Sequence, residues 1–166
     1  RSGEAEVTLI EREPRHDAHS TGRNAEILRV AVDDPVTRAL ALETADLLSR
    51  PASIGLDAGP LLDPCGLIIL SEKDPAWYDE LERAGVVTRV SAAFVGERAP
   101  HFLGAAGQAY WLKGGGRIQG ARLVASLARG AQRAGATFLR STGEAEMIAT
   151  EAGVQGVRLP GGEVLE

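Results

Sequence analysis

Val7-Thr8-Leu9-Ile10-Glu11-Arg12-Glu13, followed after a short gap by His19-Ser20-Thr21-Gly22-Arg23-Asn24-Ala25, is the stretch on which the reading of the fold turns. The first half is an apolar run closed by acids. β-Branched Val7, Thr8 and Ile10 suit a buried strand over residues 7–10, and Glu11 stands where that strand should end. Pro14 keeps the following loop from becoming a helix. Ligands of open α/β sheets collect beyond the carboxyl ends of parallel strands, where an acid can accept hydrogen bonds from both hydroxyls of a ribose. The second half supplies small hydroxyls, a glycine and a guanidinium, groups that can hold a pyrophosphate through short, charge-assisted contacts. Taken alone, Ser20-Thr21-Gly22 reads equally as a turn or a helix cap, and Glu11 as a surface acid.

Working outward, residues 23–31 suggest a short helix whose amino end points amides at a phosphate. Asp34-Pro35 opens a helix cleanly, with Val36, Leu40 and Leu47 on one face and Arg50-Pro51 as its stop. Leu61-Leu62 and the run 66–70 read as a hairpin of a separate sheet. Asp74-Pro75 precedes a helix carrying Trp77, Tyr78 and Leu81, ended by Gly85. A strand over 86–90, a brief helix over 91–98 and an apolar strand over 109–112 follow. Tyr110 and Trp111 in that last strand are either core or the wall of a pocket. The dense run Gly114-Gly115-Gly116 has the flanks of a loop, not of a phosphate cradle.

Beyond it, Leu123, Val124, Leu127, Ala128 and Ala131 mark the apolar face of a helix ended by Gly135, with Arg122 and Arg129 toward water. A strand over 136–139 and three short strands over 144–150, 153–159 and 163–165 complete the chain, the last two joined by Pro160-Gly161-Gly162.

The pair of stretches at the start, in this order, resembles the flavin-dependent oxidoreductases of the D-amino-acid oxidase superfamily, and most closely its glycine oxidase and D-amino-acid dehydrogenase branch. There a strand ending in an acid precedes a loop of the form H-S-T-G-R-S-A. Asn24 stands where that loop has serine, and Glu26 where it has a small residue. Ile118-Gln119-Gly120 stands where the family writes I-D-P. The resemblance implies an α/β fold: part of an FAD/NAD(P)-binding Rossmann-like domain interleaved with part of an antiparallel substrate-domain sheet. It divides the chain into residues 1–52 (FAD-binding), 53–116 (substrate-domain insertion) and 117–166 (return to the FAD-binding domain). It implies FAD as cofactor, hydride transfer from a C–H beside an amine nitrogen, and an amine or amino acid as the small-molecule substrate.

By the same resemblance Glu11 holds the adenosine ribose, Arg12 beside it is a further cofactor-binding residue, and Ser20, Thr21 and Arg23 meet the pyrophosphate or the flavin side of it. His19 and Asn24 approach the ring system, and the strand near Ala145 meets the adenine through its backbone. No catalytic residue is assigned. The glycine fingerprint G-x-G-x-x-G, whose amides approach a pyrophosphate, does not occur in the 166 residues. The absence of an initial Met and the apolar ends suggest a piece of a longer protein, one that binds FAD weakly by itself. Rival readings are a glycerol-3-phosphate dehydrogenase of the same fold, a non-catalytic module, and an NAD-linked dehydrogenase, which the loop 19–25 disfavours.

Composition narrows the classes further. With 44% hydrophobic and 25% charged residues, the chain is that of an ordinary globular protein. A net charge of −5 disfavours nonspecific nucleic-acid binding, which needs clustered Lys and Arg. No apolar run reaches the ~18 residues of a membrane span. Cys65 is the only cysteine, which excludes an intrachain disulfide and suits a reducing cytoplasm. Between Pro64 and Gly66 it reads as a small packed residue. His16 and His19 have no partners at metal-ligating spacing. A second copy of the chain or an oxidoreductase subunit is the macromolecular partner to expect.

Overall fold

The computed structural model describes residues 6–72, 76–102 and 107–165. In chain order the elements are β1 (Thr8–Glu11), β2 (Ile27–Leu28), α1 (Pro35–Ser49), β3 (Leu62–Asp63), β4 (Leu67–Ser71), α2 (Ala76–Arg83), β5 (Thr88–Val90) and α3 (Ala92–Arg98). Then come β6 (Gln108–Leu112), β7 (Gly116–Ile118), α4 (Gly120–Arg133), β8 (Thr137–Arg140), β9 (Glu146–Thr150), β10 (Gly153–Arg158) and β11 (Val164–Leu165). They form two compact units, an inner one from Ala25 to Gln119 and an outer one from the described residues on either side of it.

In the outer unit β1 pairs in parallel with β8, Thr8 opposite Thr137 and Glu11 opposite Arg140. The meander β9-β10-β11 is antiparallel throughout. Its last turn is closed by Gly162 N–H donating to the Leu159 carbonyl. The strand β1 is less buried than its sequence suggests: Val7 and Leu9 are 49% and 43% exposed. Among the described residues β8 is its only ladder partner, so one edge and much of its side-chain surface stay open.

In the inner unit, β7 pairs antiparallel with both β2 and β3, and β6 with both β4 and β5. Leu61-Leu62 and residues 66–70 therefore do not make a hairpin. Asp63 leads into a sharp turn, and the strands on its two sides join different sheets. The expected helix over 23–31 is also absent. Ser20–Arg23 makes one turn of 3₁₀ helix, Glu26 takes a left-handed φ of 54°, and Ile27-Leu28 become a strand held by Arg117 and Gly116. A residue at positive φ cannot continue a right-handed helix, so pairing with β7 wins over the local apolar spacing.

Asp34 caps α1, accepting from Thr37 N–H at 2.7 Å and Thr37 Oγ1 at 2.6 Å, with Pro35 at the first helical position. These bonds hold the Asp34 carboxyl below its ordinary range. The predicted stripe is rotated, however: Val36 and Leu40 are exposed, while Leu48 is buried. Arg38 lies on the inward face, its guanidinium donating to the Val32 carbonyl at 3.0 Å and reaching Glu80 at 3.5 Å. The cap residues Asp74 and Pro75 lie outside the described residues. α2 ends at Gly85 as its sequence indicates. Ser91 caps α3 through Phe94 N–H.

The sheet β4-β6-β5 holds the best-packed part of the inner core. Tyr110 is fully buried and stacks on Tyr78 at 4.3 Å, which stacks on Trp77 at 4.2 Å. Leu81, Val87 and Leu112 are buried in the same unit; each such side chain contributes about 1.5–3 kcal/mol by leaving water. Tyr110 is thus core, and Trp111, on the other face of β6, lines a cavity. Cys65 is exposed at the mouth of that cavity and is not a packed core residue. The tight turn that frees residues 64–66 from both sheets leaves its thiol uncovered.

Candidate functional site

Glu11 ends β1 with its Oε1 accepting the backbone N–H of Glu13 at 2.8 Å. That bond turns the chain out of the sheet and parks the carboxylate at the strand edge. The other end of the site comes from β8. After Arg140 the chain runs on beside residues 11–13: Ser141, Thr142 and Gly143 N–H donate to the carbonyls of Glu13, Glu11 and Arg12. Thr142 Oγ1 also donates to the Glu11 carbonyl at 3.2 Å. Residues some 130 positions apart are thereby laid side by side.

The result is a recess of about 410 Å³ at the carboxyl edge of the parallel pair. Ile10, Glu11, Arg12 and His19 form one wall, and Gly143, Glu144 and Ala145 the other. Of the eight residues singled out in the sequence, Glu11, Arg12, His19 and Ala145 meet here. Ser20, Thr21, Arg23 and Asn24 do not line it. Gly143 and Glu144 escaped the sequence reading. The signal for Gly143 was the Ser141-Thr142-Gly143 turn after β8, where φ is +73°.

Beside the recess, Arg12, Glu13 and His19 form a charged cluster. His19 Nε2 lies 3.0 Å from Glu13 Oε1, Arg12 Nε donates to the same oxygen at 3.2 Å, and Arg12 Nη2 lies 3.2 Å from His19 Nε2. The His19 hydrogen bond, aided by Arg12, holds the Glu13 carboxyl below its ordinary 4.5. His19 therefore has an acidic partner, yet no group of three or more metal-ligating side chains occurs among the described residues.

The 3₁₀ turn is fastened from within. Gly22 N–H donates to the His19 carbonyl at 3.1 Å, and Asn24 Nδ2 donates to the carbonyls of Ser20 and Thr21 at 2.9 and 3.1 Å. A Cβ on Gly22 would sit 2.3 Å from the Asp17 carbonyl oxygen, so only glycine allows this approach. The turn packs on α4. Among the described residues the side chains of Ser20, Thr21 and Arg23 have no hydrogen-bond partner, leaving two hydroxyls and a guanidinium available to a ligand.

The recess thus combines an acid at the carboxyl edge of parallel strands, the apolar side chain of Ile10 and backbone groups from a facing segment, chemistry able to accept hydrogen bonds from a ligand's hydroxyls. Compared with protein families, the whole chain, residues 1–166, matches the model of the FAD dependent oxidoreductases known as DAO. The chain belongs to the DAO family.

Comparison with curated proteins by sequence finds no match. Solved structures do match. A modified fructosyl peptide oxidase from Aspergillus nidulans superposes with a TM-score of 0.72 at 18% identity over 96% of this chain and 41% of its own. Glycine oxidase from Bacillus cereus gives 0.70 at 18% identity, over 97% and 46%. L-Proline dehydrogenase from P. horikoshii gives 0.70 at 18%, over 95% and 43%. Identities this low speak to the fold alone. The DAO chain thus has the mixed parallel and antiparallel architecture of flavin-binding DAO proteins, and it spans less than half the length of these three.

Proposed function

We propose that this DAO-family chain contributes the cofactor-holding region, and part of the substrate-holding region, of an FAD-dependent oxidoreductase acting on amines or amino acids. The observation that carries the reading is the recess at the end of β1 and β8, where Glu11 and Ala145 face each other across one site. In it Glu11 accepts hydrogen bonds from the ribose hydroxyls through the oxygen not engaged by Glu13. The backbone near Ala145 would hold the adenine, and Ile10 would offer it an apolar contact. Arg12 and His19 would line the same pocket beside Glu11, and Ser20, Thr21 and Arg23 would offer their hydroxyls and guanidinium to the phosphates. Asn24 acts by fastening the turn that presents them. FAD, when bound, supplies the acceptor for a hydride leaving the carbon beside an amine nitrogen, and the imine so formed hydrolyses.

Residues 1–52 and 117–166 are the cofactor region in this proposal, and residues 53–116 the substrate region. Amine chemistry is preferred to glycerol-phosphate oxidation because the similar structures are named for glycine, L-proline and fructosyl-peptide substrates. A reducing cytoplasm is the compartment in which the lone exposed Cys65 is best kept as a thiol.

The absorption spectrum of the purified full-length protein tests the proposal. Flavin bands that bleach on anaerobic addition of D-amino acids or small L-amino acids support it. A protein that stays colourless after reconstitution with FAD overturns it.

A further inference from the structure

A cavity of about 660 Å³ belongs wholly to the inner unit, within the residues 53–116 proposed as the substrate region, and shares no lining residue with the recess beside Glu11. Leu67, Ile68, Val95 and Trp111 make its apolar walls. Among the described lining residues, Cys65, Arg98 and the indole N–H of Trp111 are the side-chain groups that bring polar chemistry to it, and Arg98 the one charge. The Arg98 guanidinium lies over the Phe94 ring, 3.7 Å from the centroid, and 5.9 Å from that of Trp111. Phe94 and Trp111 are themselves packed edge to face at 5.5 Å.

This geometry presents the cation without neutralising it. Stacking uses the faces of the guanidinium and leaves its N–H groups pointing outward in the plane. Among the described residues its carboxylate partner, Glu97, is a loose, exposed neighbour at 3.5 Å. An apolar pocket with a single oriented cation is complementary to a molecule with an apolar body and one anionic end. We propose that the cavity bounded by Trp111 and Arg98 is a binding site for an organic monocarboxylate with an aromatic or branched aliphatic body. The carboxylate bonds Arg98, and the body lies against Trp111 and Leu67.

Gly66 is what opens the space for the indole. It sits at φ +74°, and a Cβ there would fall 2.0 Å from the Trp111 ring. Its neighbour Cys65 is the sole cysteine and stands at the cavity, so its thiol reports occupancy directly.

The experiment measures the rate of Cys65 alkylation by neutral N-ethylmaleimide in the purified protein. It is run alone, with phenylacetate, and with its uncharged isostere phenylacetamide. Phenylacetate is expected to slow alkylation by ~5-fold or more at millimolar concentration, and phenylacetamide by much less, because a charge-assisted bond is roughly twice as strong as a neutral one. In Arg98→Met, which keeps the stem and loses the charge, the two compounds should become equal. No protection by either compound, equal protection by both in the unmodified protein, or a preference for phenylacetate that survives in Arg98→Met would overturn the proposal. The comparison in the unmodified protein needs no variant to fold, and none of these outcomes depends on bound flavin.

Discussion

Glu11 and Glu13 stand two residues apart, yet their surroundings give them different tasks. Glu11 spends one oxygen on the Glu13 amide and keeps the other at the recess. Replacing it with Gln keeps the turn but removes the charge, so FAD affinity should fall. A hydrogen bond to a charged acceptor is worth about 1.5–3 kcal/mol, or roughly 10- to 100-fold in Kd; flavin fluorescence titration of the unmodified and Glu11→Gln proteins reads it. An unchanged Kd would remove Glu11 from the proposed site.

Glu13 instead meets His19 and Arg12 through its Oε1, and these contacts depress its pKa. A depressed carboxyl stabilises the fold above its unfolded value and loses that contribution as the pH falls through the folded value. That contribution is therefore fully present above the ordinary 4.5 and is lost as the pH falls through the lowered folded value. In His19→Ala the Glu13 carboxyl should titrate closer to 4.5, as followed by carbon NMR of the side chain.

At the scale of elements, β6 separates two kinds of aromatic residue by its alternation. Tyr110 points into the stack with Tyr78 and is fully buried, while its neighbour Trp111 faces the cavity with Phe94 against its edge. Tyr110→Ala should cost about 3–5 kcal/mol, the usual range for deleting a buried large aromatic, and Trp111→Ala distinctly less, as measured by urea denaturation. Gly66→Ala should also destabilise the inner unit, through the clash with the Trp111 ring and the strain of a left-handed φ. Equal losses in the two aromatic variants would contradict the division of labour along β6. The α1 helix teaches a related lesson. Its ends were legible from Asp34-Pro35 and Arg50-Pro51, because capping is local chemistry. Its buried face was not, because Arg38 turned inward to the Val32 carbonyl and took Val36 and Leu40 outward with the opposite side.

For the whole molecule, the recess lacks a partner that the chemistry of FAD calls for. The 166 residues contain no G-x-G-x-x-G, so the diphosphate would be held by Ser20, Thr21 and Arg23 without a glycine-rich cradle of backbone amides. Titration of this chain with FAD should give a dissociation constant weaker than micromolar, and a micromolar value would show that the 3₁₀ turn suffices. The assignment of Glu11, His19 and Ala145 to one place was within reach of the sequence only by resemblance. Nothing local in Thr142-Gly143-Glu144 says that it will lie against Glu11-Arg12-Glu13.

The sequence by itself determined the ends and types of the capped or strongly periodic elements: β1, α1, α3, α4, β8 and the closing meander. Their signals are short-range, a cap hydrogen bond, a glycine stop or an apolar period. It also carried the family, through the acid after β1 and the loop 19–25. Only the tertiary structure decided whether residues 23–31 were helix or strand, which strands shared a sheet, and which side of Cys65 met solvent. Each of those turned on a partner far along the chain. Arg117 and Gly116 drew Ile27-Leu28 into a sheet, Gly115 fixed the Gly66 turn, and Thr142 closed the recess over Glu11. Long-range pairing can outweigh a local preference of a few tenths of a kcal/mol per residue, and that preference is all a single sequence displays.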